Sequence, residues 1–316
     1  MSPFTYYGFG LFTMLLVALD IWQTRGGKIS VKKAAIWSAI WVAIAFAFAI
    51  SIYYFWTFYS PNSDYTAKQA TTAFLTGYLL EKSLSVDNLF VFTIIFHQYM
   101  VPDHLRPRAL LWGVIGALVL RSVMIVIGAQ ILTNFHWVMY IFAAFLVWTG
   151  IQLFKPEKED HGISPLPERW LRRVARVSDG YEGHKLVIKQ DGLLWLTPMA
   201  IVIAVIAMMD VVFALDSIPA IFAVTREPFL VLAANVFALL GLRSLFFVLQ
   251  GMIDKFVYLR TALAFIMVFI GIKMSLVETA WAIPTWISLS VLLFVMSVAV
   301  VASMLKNNAP EKLKAK

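Results

Sequence analysis

Apolar runs of about twenty residues, separated by short polar or basic stretches, recur along the whole chain. Each is long enough to cross a hydrocarbon core of about 30 Å as a helix. They predict spans over residues 5–23, 34–58, 69–97, 109–132, 135–154, 193–223, 228–250, 260–277 and 283–305. The residue-by-residue alternation of a membrane barrel is missing, so helices are the expected way to satisfy the backbone in lipid. The predicted fold class is therefore an all-α polytopic membrane protein of about nine transmembrane helices.

Composition and charge place these spans in a bilayer. Hydrophobic residues make up 61% of the 316 and charged residues only 14%, against about 25% charged in a soluble domain. The net charge of +8 does not point to nucleic acid, because the basic residues cluster between spans. With the N-terminus outside, twenty Lys and Arg fall in cytoplasmic segments and two, Lys68 and Arg226, outside. That bias puts the tail "KNNAPEKLKAK" in the cytoplasm. The opening "MSPFTYYGFGLFTMLLVALDIW" has no basic residue before its apolar core and reads as a retained first span. The absence of cysteine excludes disulfides, thiolate metal sites and thiol catalysis.

The stretch 155–192 is the one sizeable loop. It holds "PERWLRRVARV", expected as a basic amphipathic helix on anionic lipid, and "HKLVIKQDGLLWL", expected as a hairpin turning at Asp191-Gly192. A lipid-held linker and a regulatory segment are both open readings of it.

An internal repeat organises the rest. "EKSLSVDN" carries acids at Glu81 and Asp87, followed by Asn88; "DVVFALDS" carries acids at Asp210 and Asp216, again six apart, followed by Ser217. The next spans carry "LVLRSV" with Arg121 and "LGLRSL" with Arg243. The spans after those carry "VWTGIQL" and "VFIGIKM", with Gly150 in register with Gly271 and Gln152 with Lys273. Three spans per copy reverse the second copy's direction through the membrane. The predicted organisation is residues 1–58 as two N-terminal helices, 69–154 as one three-helix repeat, 155–192 as the loop, 193–277 as an inverted second repeat, 283–305 as a last helix and 306–316 as a basic tail.

Packing accounts for paired glycines, but not for charges that cost about 2.5–3.5 kcal/mol at the bilayer centre. On a straight helix Glu81, Ser85 and Asn88 share one stripe, and Asp87 lies about 120° from Glu81. Antiparallel mates could set Glu81 level with Asp216 and Asp87 with Asp210, or a kink at Pro219 could let Asp87 and Asp216 meet. Such an oxygen site suits Mn²⁺, Mg²⁺, Ca²⁺ or protons. The competing reading pairs the acids with the in-span bases as salt bridges that lock the bundle. Arg121, Arg243 and Lys273 are candidates for balancing charge or coupling. Asp20 either reaches the inner headgroups or lines the ion path. The five histidines, at 97, 104, 136, 161 and 184, are expected on the surface.

"FLTGYLLEKSLSVDNLFVF", "DVVFALDSIPAIFAVT", the following "LRS" and "FIGIKM" resemble the TerC family of integral membrane proteins, named for an association with tellurium resistance, and its Alx-like members. The likeness runs from "LVALDIW" to the last span. It implies a bacterial inner-membrane protein of metal homeostasis, with Mn²⁺ as exported ion. It also implies Glu81, Asp87 and Asn88 as one half of the metal path, Asp210, Asp216 and Ser217 as the other, and Asp20 as accessory. One departure is "AMMD", where Ala207 and Met209 stand in place of an expected acid and hydroxyl. Met208 or Met209 then serves as a thioether ligand or as packing.

The expected function is export of divalent metal by alternating access, in exchange for protons, with no permanently bound cofactor and no enzymatic activity. An intramembrane aspartyl protease is disfavoured because the Gly-x-Gly-Asp context is missing. A partner that delivers metal to secreted proteins, or an exporter of another cation or small solute, remain alternatives.

Overall fold

Three of the helices begin on a side chain that caps them. In the computed structural model, Thr66 and Gln69 form a capping box at the head of one helix, and Ser30 and Thr197 accept backbone N–H bonds at the heads of two others. The structure describes residues 3–23, 30–135, 137–154, 176–178, 180–183, 185–190, 193–249, 258–277, 279 and 281–308, without the side chains of 3, 4, 86, 87, 90, 94, 133, 153, 190, 215, 216 and 249. Among these, α1 (Pro3–Gln23), α2 (Val31–Tyr59), α3 (Ala67–Gln98), α4 (Arg106–Asn134) and α5 (Val138–Phe154) precede a hairpin of β1 (Val187–Gln190) and β2 (Leu193–Leu196). Then come α6 (Pro198–Val224), α7 (Pro228–Leu239), α8 (Leu242–Leu249), α9 (Leu259–Ser275) and α10 (Thr285–Asn308).

The chain is an all-α membrane protein by this measure. Among the described residues five helical stretches are long and apolar enough to cross a bilayer, and α6 makes a sixth when its bent halves count as one. The other helices are shorter or, like α3, carry several charges. The hairpin falls where expected, with Gln190 paired to Leu193 across residues 191–192. Of the amphipathic helix expected at 167–177, residues 167–175 lie outside the described residues and Val177 instead bridges Leu196; His136, His161, His184 and the tail from 309 also lie outside them.

One expected span is corrected at its start, and another carries an internal break. The sixth was read from residue 193, but 193–196 form β2 and the helix starts at Pro198, because Thr197 caps it and proline suits the first turn. The seventh, expected at 228–250, is present as one apolar stretch, Pro228–Val248, that breaks into α7 and α8 at Gly241. That residue has φ +74, and a Cβ on it would lie 2.5 Å from the Trp41 ring, so glycine alone fits the turn. The bend expected in the sixth span is present: the halves of α6, ending at Ala214 and resuming at Ser217, make a 41° angle just before Pro219.

Helices pack so that α5 lies along α9, α4 against α6, and α3 among α2, α6, α7 and α10. The closest approach is reciprocal. A Cβ on Gly150 would sit 2.9 Å from the Ala264 carbonyl and Val268 nitrogen; one on Gly271 would sit 2.9 and 3.0 Å from the Ala143 carbonyl and Val147 nitrogen.

Two apolar cores stack along the helices. One gathers Phe74, Leu80, Ile125, Leu132, Ala214, Ile218, Ala220–Val224 and most of α7; the other gathers Leu89, Phe92, Phe96, Ala109, Ala117, Met199, Ile201, Val202, Val205, Ile206, Leu242 and Phe246. Glu81, Arg121 and Asp210 fall at the seam between them, in mid-helix. The end beyond the first core is tied by Ser63 donating to Glu227, Thr225 to the Tyr65 hydroxyl at 3.3 Å, and Thr285 to the Val224 carbonyl at 3.4 Å. At the opposite end Tyr181 donates to the Tyr99 carbonyl at 2.8 Å, and burial pushes its phenol up to about 12.

Candidate functional site

Arg121 sits halfway along α4, its side chain 2% exposed, and reaches into the seam between the cores. Its guanidinium forks onto Asp210 of α6, with Nε 3.0 Å from Oδ2 and Nη2 3.1 Å from Oδ1. The third nitrogen, Nη1, lies 2.7 Å from Glu81 Oε2 of α3, 3.2 Å from Ser217 Oγ of α6 and 3.2 Å from Asn235 Oδ1 of α7. All five residues are almost wholly buried. A planar fork with five donors suits this task, since it can hold one carboxylate in two bonds and still turn an edge to a second.

The seam retains unspent polarity. Glu81 Oε1 and Ser85 Oγ, one helical turn apart, are buried with no hydrogen-bond partner among the described residues. The amide of Asn235 is anchored by its Nδ2 donating to the Val231 carbonyl at 3.1 Å, which turns Oδ1 toward Arg121. Asn88 is buried on the same helix as Glu81. The side chains of Asp87 and Asp216 lie outside the described residues. Among the described residues no three of His, Cys, Asp and Glu are grouped as for a metal ion.

Of the expected acids, Glu81 and Asp210 share the Arg121 guanidinium, as the reading that pairs the acids with in-span bases has it; the levels expected for Glu81 with Asp216 and for Asp87 with Asp210 involve side chains outside the described residues. Asn235 was missed, although it is the lone polar residue in the run from Pro228 to Leu240.

Arg243 does not mirror Arg121. It pairs with Asp20 of α1, Nη2 to Oδ2 at 2.7 Å, and also donates to the Asp20 carbonyl. Gln23 completes this second cluster, its Nε2 2.7 Å from Asp20 Oδ1 and 3.3 Å from Ser244 Oγ. Asp20 is 5% exposed, so it does not reach for headgroups. Lys82 donates to the carbonyls of Ala238 and Leu240, at 3.0 and 3.2 Å, where α7 ends at the break.

The remaining candidates stand apart from the centre. Lys273 is buried, with Nζ unpartnered among the described residues, whereas Gln152, its mate in sequence register, is exposed. Met208 is 40% exposed and Met209 packs against the second core, so neither thioether joins the centre, and Ala207 lies against Gly116. His97 and His104 are exposed, as expected.

Residues 66–311 match the family described as integral membrane protein TerC family. A Salmonella typhi protein named "Putative membrane-bound redox modulator Alx" is 40% identical over 315 residues, covering 98% of this chain and 97% of the relative. The protein of that name from Escherichia coli strain K12 is 41% identical over 294 residues, covering 92% and 91%. A Myxococcus xanthus membrane protein is 39% identical over 309 residues, covering 97% and 93%. No solved structure matches the chain. Family match and full-length relatives agree with the quoted motifs, and the chain belongs to the TerC family of integral membrane proteins.

Proposed function

We propose that this protein is a secondary transporter that exports divalent cations, Mn²⁺ foremost, in exchange for protons. One observation carries the reading. Acids from two separate motifs, Glu81 and Asp210, converge on a single point at mid-helix between two apolar cores. Charges at that depth are costly and mark ion pathways. The surrounding donors are hard oxygens, from two carboxylates, Ser217 and Asn235, with Glu81 Oε1 and Ser85 Oγ unspent. Such donors favour Mn²⁺, Mg²⁺ and Ca²⁺ over soft metals.

The finer architecture belongs to the same proposal: nine crossings, with α3–α5 and α6–α9 as inverted repeats. The reciprocal contact of Gly150 and Gly271 supports it, since equivalent residues meet across a pseudo-twofold axis. We place the N-terminus outside and the tail in the cytoplasm of a bacterial inner membrane, on the distribution of Lys and Arg. Asp87 and Asp216 are assigned to the ion path with Glu81 and Asp210. An aspartyl protease is not favoured for the described acids, because Glu81 and Asp210 are bridged by a guanidinium and do not share a proton. A redox role is stated in the names of relatives; this chain has no cysteine and so no thiol to exchange.

Purified protein in lipid vesicles holding a Mn²⁺-sensitive dye tests the reading. Wild type is expected to carry Mn²⁺ above the rate of empty vesicles, and Glu81→Gln and Asp210→Asn to lower that rate at least about tenfold, as loss of about 1.4 kcal/mol of binding would. Cells expressing wild type should hold less manganese than cells expressing Asp87→Asn. Wild-type flux equal to that of empty vesicles would refute cation transport.

A further inference from the structure

We propose that Arg121 is a tethered cation: its guanidinium occupies the transport site in this closed state, and a divalent cation binds only after Arg121 withdraws from Glu81 and Asp210. The inference rests on the cation-transport reading above.

The acceptors around one nitrogen carry the argument. Oxygens from three helices stand 2.7–3.2 Å from Nη1, namely Glu81 Oε2, Ser217 Oγ and Asn235 Oδ1, and the Ser217 hydroxyl brings a proton of its own to Glu81. Such a convergence of oxygens on one point is the donor set from which a cation site is built. The fourth oxygen, Glu81 Oε1, is fully buried and unpartnered among the described residues. Burying an unmet carboxylate oxygen is costly unless another state of the protein uses it.

Charge points the same way. The described centre holds two carboxylates and one guanidinium, so the arginine balances half of the negative charge. A divalent cation in its place balances all of it. The guanidinium is thus a competitor that a divalent cation can displace. While it remains it keeps the two acids from repelling one another, which lets the carrier close without cargo.

Arg243 supplies the contrast. It belongs to the matching "LRS" motif, but its Nη2 bonds the Asp20 carboxylate and carbonyl, its Nε is buried without a partner among the described residues, and it contacts neither Glu81 nor Asp210 in the bonds described. The same motif thus sets one arginine on a single acid and the other between two acids.

The test is thermal unfolding of the full chain in detergent, titrated with manganese chloride, against magnesium chloride and against sodium chloride at matched ionic strength. Arg121→Gln should start below wild type and rise saturably with Mn²⁺, by roughly 5 °C at a hundredfold excess over Kd. Wild type should move by less than about 1 °C, the arginine holding the site. Adding Glu81→Gln and Asp210→Asn to Arg121→Gln should abolish the response. If Arg121→Gln does not fold, Arg121→Lys replaces it. One ammonium cannot cover both carboxylates as the fork does, so Mn²⁺ should stabilise that variant more than wild type. A folded Arg121 variant without divalent-dependent stabilisation overturns the inference. Should wild type nevertheless carry Mn²⁺ in vesicles, the transport reading stands and Arg121 is a structural pin. Should Arg121→Gln bind Mn²⁺ while wild type carries none, the transport reading alone falls.

Discussion

Gly150 and Gly271 let α5 and α9 meet backbone to backbone, and the contact is set by single atoms. A Cβ at Gly150 would lie 2.9 Å from a carbonyl oxygen and an amide nitrogen of α9. Neither can move without moving its helix, so a side chain there must part the pair. We expect Gly150→Val to destabilise by more than about 2 kcal/mol, in the range of overpacking. At roughly 2–4 °C per kcal/mol this lowers the unfolding midpoint by at least about 4 °C. Gly8→Val is the control, because nothing lies within 4 Å of the added Cβ. Equal midpoints for the two variants would show that the close contact is not held. The same scale explains why two arginines in one motif differ: Arg121 faces acids on α3 and α6, while Arg243 faces Asp20 on α1. Each side chain goes to the carboxylate its own helix makes reachable, and burial forbids leaving either charge alone.

At the scale of elements, the break between α7 and α8 is sustained from three sides. Gly241 makes the turn, Trp41 fills the space a side chain would take, and Lys82 bonds the carbonyls that the break releases. Lys82→Met keeps the stem but removes the donors, and is expected to cost about 1–3 kcal/mol for leaving buried carbonyls unmet. Lys82→Arg should recover most of that in a melting experiment. If Lys82→Met melts with wild type, water or backbone movement satisfies the break instead. This break was illegible in sequence because the run from Val236 to Leu242 is apolar straight through it, and hydropathy cannot see a φ angle. The helices themselves were legible, since about twenty apolar residues have few other uses, and so was the α6 bend, since Pro219 cannot donate to Leu215. Thr197-Pro198 was a visible start signal overlooked in favour of the apolar "LLWL" before it. The acids were legible as charges out of place. Their partners were not, because sequence register does not say which long side chain swings between two helices. Asn235 was legible in principle, as an amide alone in an apolar run.

At the scale of the molecule, the buried centre is of use for transport only if the two ends open in turn. The end beyond the first core is held by side chains that link separate connections: Ser63 between α2 and α3, Glu227 and Thr225 between α6 and α7, and Thr285 at the head of α10. These bonds join the second proposed repeat to the connection before the first and to the last helix at the same end, so opening there requires them to part, and each is weak enough to part repeatedly, at about 0.5–1.5 kcal/mol for neutral pairs and about 1.5–3 kcal/mol for the bond to Glu227. The chain contains no cysteine, so a thiol pair introduced as Ser63→Cys with Glu227→Cys would be its sole reactive pair. Before crosslinking, the double variant should carry Mn²⁺ in vesicles, since both positions lie far along the chain from Glu81 and Asp210. After treatment with a short bis-thiol reagent, flux should fall at least about tenfold, and a reagent cleaved by reductant should let it recover. The single variants, treated alike, control for the bulk of the reagent. Unchanged flux in the crosslinked double variant would mean that this end does not open during transport. The cycle would then have to run through a side path between helices, with the centre around Arg121 reached from the lipid-facing flank.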